Sequence, residues 1–201
     1  IKREFMSKPF RFGVQSFNTD SGADWSEQVT KAEELGYSAF HLADHIIGPG
    51  PALEAANHPE QNLAAIPAMA YAAAVTKDIH IGCRVFCIDY HLPVVLIKTA
   101  MTIDRLSGGR LELGLGAGWI TEEYNALGIT KDKPQVRIDR LADVIEGVKT
   151  FRQEGAADIR NKTLNWKGFE GVPKPISKPP IMVGGGSPRV LRLAGREADI
   201  V

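Results

Sequence analysis

Residues 104–119 read DRLSGGRLELGLGAGW. The stretch joins a polar turn, a short apolar run and glycines at alternate positions, Gly114, Gly116 and Gly118. A glycine-rich turn after a strand can cradle phosphate. In dinucleotide-binding folds the spacing is G-x-G-x-x-G on the first strand-helix turn, with an acidic residue about 20 positions later at the end of the next strand. Here the spacing is G-x-G-x-G, three strand-like runs come first, and helical and irregular chain follows. The stretch is therefore the end of a fourth strand in another kind of α/β protein.

Outward from it, strand-like and helix-like runs alternate along the chain, the pattern of a parallel α/β architecture. The expected strands are FRFGVQSF (10–17), SAFHLAD (38–44), IHIGCRVFC (79–87), RLELGL (110–115), IMVGGG (181–186) and ADIV (198–201). Asp24 is the expected N-cap of the first helix and Gly36 its C-terminal stop. Residues 45–62 read as a long loop, and 161–180, with four prolines, as an irregular excursion. In 135–155, Ile138, Leu141, Ile145 and Val148 keep helical spacing. A (β/α)8 barrel takes about 250 residues, so six units in 201 residues amount to about three quarters of one, with the last quarter absent. An open doubly wound sheet, complete at this length, is the competing architecture.

The 24 basic and 24 acidic residues balance. No overall field draws the protein to nucleic acid or anionic lipid. The longest apolar stretch, 61–76, is broken by Pro67 and falls short of the roughly 18 residues of a membrane span. Cys83 and Cys87, the two cysteines, share one strand and read as buried thiols without a disulfide or metal. A cytoplasmic location is expected. Residues 1–9 read as a tag or disordered start, with Met6 as the native first residue, ahead of one barrel domain over 10–201.

A barrel gathers its chemistry at the C-terminal ends of its strands. Those ends carry Gln15 and Ser16, Asp44 and His45, residues 84–87, residues 116–119, and residues 184–187. All are polar, glycine-rich or aromatic, as a ligand site requires, although such loops are polar in any protein. GGGS at 184–187 precedes a helix, where backbone N–H groups bind anions and glycines allow close approach. A tight turn alone would also use those glycines.

LADH (42–45), YHLPVVLIKTAMTIDRLSGGRLELGLGAGW (90–119) and KPPIMVGGGSPRVLRLAGREADIV (178–201) resemble the bacterial luciferase-like superfamily, most closely its F420-dependent oxidoreductase branch. The resemblance covers residues 10–201. It implies a (β/α)8 TIM barrel that binds FMN or the deazaflavin F420 at the C-terminal rim. Carried over residue by residue, it makes Asp44 a cofactor contact and His45 the group nearest the reactive carbon. An imidazole titrates near neutral pH, so His45 is the candidate proton donor or acceptor. The competing reading has Asp44 capping a turn and His45 packing beneath the loop.

Arg84 and Val85 correspond to residues flanking a non-proline cis peptide that backs the ring. Arg84 is larger than the usual residue there, and reaches either a phosphate, a substrate carboxylate or a surface ion pair. Gly116, Ala117 and Gly118 clear the ring's slot and Trp119 walls it, while Gly184, Gly185, Gly186 and Ser187 hold the phosphate region. F420-dependent sugar-phosphate dehydrogenases carry a catalytic Glu where Trp119 stands and an Asn at the position of Glu122, so their specific chemistry is not expected. Glu122 and Glu123 could serve as acids, but two glutamates at a helix start more often complement its dipole as surface residues.

The expected function is hydride transfer between F420, or alternatively FMN, and a small organic substrate, in a homodimer. Two other classes compete. One is a non-catalytic flavin-binding or structural barrel. The other is a metal-dependent hydrolase or isomerase drawing on His41, Asp44, His45, His58 or His91, none of which has diagnostic ligand spacing.

Overall fold

The computed structural model describes residues 10–201, so the expected tag over 1–9 lies outside the described residues. In chain order the elements are β1 (Gly13–Gln15), α1 (Gly22–Glu34), β2 (Ala39–Leu42), α2 (Pro51–Ala56), α3 (Ala65–Val75), β3 (His80–Cys87), a 3-10 turn (Ile88–Tyr90), α4 (Pro93–Leu106) and β4 (Leu111–Gly116). There follow α5 (Thr121–Ala126), α6 (Pro134–Arg152), β5 (Ile159–Arg160), β6 (Asn165–Trp166), β7 (Ile181–Gly184) and α7 (Pro188–Glu197).

Five strands form one sheet in the order β1-β2-β3-β4-β7, and every pair is parallel. Each strand thus lies beside its predecessor with a helical crossover between. A doubly wound sheet reverses its order at a switch point and a barrel does not. The architecture is therefore the partial TIM barrel. The expected sixth strand is reduced to one bridge between Met182 and Ile200, with the Val183 N–H donating to the Ile200 carbonyl at 3.0 Å.

The core lies between sheet and helices. Leu111, Leu113 and Leu115 face outward and are fully buried against Leu96, Ile97 and Met101 of α4 and Leu141, Val144, Ile145 and Val148 of α6. With a period of two, Glu112, Gly114 and Gly116 face the barrel interior. There Glu112 meets the ring of His41 at 2.9 Å and the guanidinium of Arg11.

The opening stretch is held at both ends. The buried Asp104 carboxylate accepts from the N–H groups of Ile176 and Ser177 and from the Ser177 hydroxyl, at 2.7 to 3.1 Å. Arg110 donates to the carbonyls of Ala73, Thr76, Ile79 and Ser107. Both residues fasten β4 to its neighbours and stand away from the rim.

Four expectations are corrected. Ser21, not Asp24, caps α1: its hydroxyl accepts from the Asp24 N–H at 3.1 Å. The Asp24 carboxylate instead accepts from Thr19, Asp20 and Gln28. The loop after β2 contains α2, whose first residue Pro51 is preset for a helix start. Residues 161–180 are not wholly irregular, because β5 and β6 pair antiparallel, Ile159 with Trp166. Finally β1 is only Gly13–Gln15. Gly36 does end α1: its φ is 79°, its N–H reaches the Glu33 carbonyl, and the Tyr37 N–H reaches that of Ala32, the six-to-one pattern of a Schellman stop.

Candidate cofactor site

At the C-terminal ends of β2, β3, β4 and β7 lies a cavity of about 510 Å³. Asp44, His45, Arg84, Val85, Gly116, Ala117, Gly118, Trp119, Gly184, Gly185, Gly186 and Ser187 all line it. The residues that the resemblance carried over therefore meet in one place, whereas Gln15 and Ser16, at the end of β1, do not line it. Cys87, from the expected strand end 84–87, also lines it, as do Tyr90, Glu123, Arg137, Ile138 and Val190, which were not foreseen there.

The floor is built by β3. The Arg84–Val85 peptide is cis, and the register against β4 shifts between Cys83 and Phe86. This bulge turns Val85 towards its neighbours. A Cβ on Gly116 would lie 2.5 Å from Val85 Cγ2, one on Gly184 2.9 Å from the same atom, and one on Gly114 2.0 Å from the Cys83 carbonyl oxygen. Gly116 and Gly184 thus make room for Val85, which then faces the cavity on their behalf. Gly118 has φ 68°, and a Cβ there would meet the Tyr124 hydroxyl at 2.0 Å. The glycines were expected to clear a slot directly; they clear it by admitting the bulge. Arg84 is exposed, lines the cavity, and enters no salt bridge among the described residues.

On one side the buried Asp44 carboxylate accepts from the Cys87 N–H at 2.9 Å and lies 2.8 Å from His91 Nε2. Beside it His45 Nδ1 lies 2.9 Å from Glu123 Oε2. Glu123 is 0% exposed and also accepts from the Ile46 N–H at 2.7 Å and the Tyr90 hydroxyl at 2.9 Å. Burial pushes the Glu123 carboxyl up, but these three donors outweigh it and hold the acid below the ordinary glutamate value. An ionised carboxylate only accepts, so the proton sits on His45 Nδ1 and Nε2 remains for the cavity. The surface reading of Glu123 is thereby overturned. One residue of phase in a short helix separates Glu123 from Glu122, and no composition signal distinguishes them.

Around this pair the phenols of Tyr90 and Tyr124 are pushed up foremost by burial, and the Cys87 thiol to about 11 by the same cause. All three stay protonated at neutral pH. The His58 ring lies 4.0 Å from that of His45, and Trp119, 62% exposed, stands 6.4 Å from His45 and 6.0 Å from His58. Burial holds the His58 imidazole below its ordinary value. Trp119 is thus a wall at the mouth. Arg137, buried on α6, donates to the carbonyls of Ala117 and Gly118 and fixes the loop after β4.

At the other end, Ser187 caps α7, its hydroxyl accepting from the Val190 N–H at 3.4 Å. Among the described residues the N–H groups of Gly185, Gly186 and Ser187 find no acceptor within the protein. Three free N–H groups at a helix start fit a phosphate. A cavity of this size, apolar with few polar groups, fits a cofactor ring. Among the described residues no group of three His, Cys, Asp or Glu could hold a metal ion, and no helix is long and apolar enough to cross a membrane.

A family model described as luciferase-like monooxygenase matches residues 6–201. The chain belongs to that family. This luciferase-like chain is 27% identical over 202 residues to an uncharacterized protein of Mycobacterium tuberculosis, covering 94% of this chain and 70% of the other. It is 29% identical over 184 residues to the F420-dependent glucose-6-phosphate dehydrogenase of Amycolatopsis mediterranei, covering 88% and 51%. The solved structure of an F420-dependent secondary alcohol dehydrogenase with an F420-acetone adduct superposes with a TM-score of 0.80 at 22% identity, covering 94% of this chain and 56% of that one. This last likeness is one of fold. The chain spans about half the length of the dehydrogenases it matches.

Proposed function

We propose that the protein is an oxidoreductase that moves a hydride between F420 and a small organic substrate. The observation that carries this is the pairing, across one cavity, of an oriented imidazole at His45 with a loop whose N–H groups at Gly185, Gly186 and Ser187 have no acceptor among the described residues. The F420-dependent relatives support it.

In this reading the three N–H groups would hold the cofactor's phosphate, the β3 bulge at Arg84 and Val85 would back its ring, and Asp44 would border its polar edge. Gly116, Ala117, Gly118 and Trp119 would complete the slot. Bound F420 supplies the carbon that accepts or gives the hydride. His45 holds the accompanying proton at Nε2, and Glu123 stabilises the imidazolium by accepting from Nδ1. Tyr90 and the Ile46 N–H keep Glu123 in place. FMN shares a flat ring and a phosphate and is the alternative cofactor.

Titration of the protein with F420 and with FMN, followed by absorbance and fluorescence, tests the reading. Saturable binding of F420 in preference to FMN is expected. Binding of neither overturns it in favour of a structural barrel.

A further inference from the structure

We propose that the groove between α6 and α7 seats the anionic tail of the deazaflavin. Beyond its phosphate F420 carries a lactyl group and a short chain of glutamates, a run of carboxylates that FMN lacks. The inference rests on the cofactor reading above.

Arg189, Arg192 and Arg196 fall at i, i+3 and i+7 of α7. They share one helix face and climb it over about 10 Å. With Ile138, Asp139 and Leu193 they line a groove of about 280 Å³. Ile138 borders both this groove and the cofactor cavity, and α7 starts directly after Ser187. The groove therefore begins where the phosphate would end.

Its charge suits a polyanion. Arg189 is paired with Asp139 at 2.6 Å, and neither Arg192 nor Arg196 has an acidic partner among the described residues. Glu197, the nearest acid in sequence on α7, is taken by Lys149 of α6. Three guanidinium groups thus face one carboxylate, with Arg189 in the first turn of α7 and Arg196 in its last. Planar, permanently charged forks at successive turns match successive carboxylates better than lysines would. Surface arginines often serve only solubility; continuity with the phosphate loop, and two cations left unpaired beside a paired one, point to a ligand here.

Calorimetric titration of the protein with three probes decides: F420 bearing several glutamates, the same deazaflavin cut back to its phosphate, and FMN. The long-tailed form should bind about tenfold tighter than the trimmed one, as a few screened ion pairs allow. That advantage should vanish at high salt and in the Arg192→Ala/Arg196→Ala double variant, and widen in Asp139→Asn, which frees Arg189. Unchanged affinity for the trimmed form would report that the variants fold. Equal binding of both deazaflavins, or a tail advantage surviving the double substitution, overturns the tail site and leaves the cofactor reading standing. Failure of every probe to bind overturns both.

Discussion

Val85 Cγ2 occupies the space into which a side chain on Gly116 would grow, 2.5 Å from the position of its Cβ. The two residues sit on neighbouring strands, so the bulge in β3 and the glycine in β4 form one device. Gly116→Ala should cost about 1 to 3 kcal/mol by overpacking. The double variant with Val85→Ala should recover most of it, because the obstructing methyl is gone. Gly114→Ala should cost at least as much and not be rescued, since its Cβ meets the Cys83 carbonyl at 2.0 Å and backbone cannot step aside. Urea midpoints of the four variants check this; rescue of Gly114→Ala by Val85→Ala would refute it.

Substituting the proposed proton carrier separates binding from chemistry. His45→Ala should keep cofactor affinity within a few fold and lower turnover by about 10² to 10⁴. Glu123→Gln should lower turnover too, because an amide can present a donor to Nδ1 and reverse the ring's tautomer. Measured kcat and cofactor Kd would tell. Wild-type turnover in His45→Ala removes it from the mechanism.

Acid should unfold this protein through its buried glutamates. Burial raises Glu112, but the hydrogen bonds from His41 and Arg11 outweigh it, and Glu112, like Glu123, lies below the ordinary value of 4.5 when folded. A carboxylate depressed in the folded state stabilises above the unfolded pKa, and that stability is lost as pH falls through the folded one. Urea midpoints should therefore drop steadily below about pH 4.5. Glu112→Gln should lower the midpoint at neutral pH and flatten the acid slope; an unaltered slope contradicts the assignment.

Of the three tryptophans, Trp25 is buried beneath α3 and Trp166 lies in the β5–β6 hairpin, whereas Trp119 borders the cavity. A ring bound there should quench Trp119. Trp119→Phe should abolish most of the ligand-induced fluorescence change, and persistence of that change would place the ligand elsewhere.

The barrel was legible because Leu111, Leu113 and Leu115 alternate with small or polar residues in a strand that follows three others. The rim was legible because glycines and polar groups end those strands. Less accessible was anything set by helix phase or by partners distant in sequence. Glu123 meets His45 across 78 positions, and α5 is six residues long, too short for a periodic pattern to tell its inner face from its outer one. The hairpin at Ile159 and Trp166 escaped because two-residue strands carry no alternation. Val85 gave no sign that it, rather than empty space, explains Gly116 and Gly184.

Arg137 belongs to two neighbourhoods at once. Its guanidinium moors the start of α6 to the carbonyls of Ala117 and Gly118, while the adjacent Ile138 and Asp139 border the arginine groove. The first turns of α6 therefore border the cavity on one side and the arginine groove on the other. A shift of that helix against α7 would reshape both at once, so a ligand long enough to span them would brace the two helices together, and a short one would touch only one side.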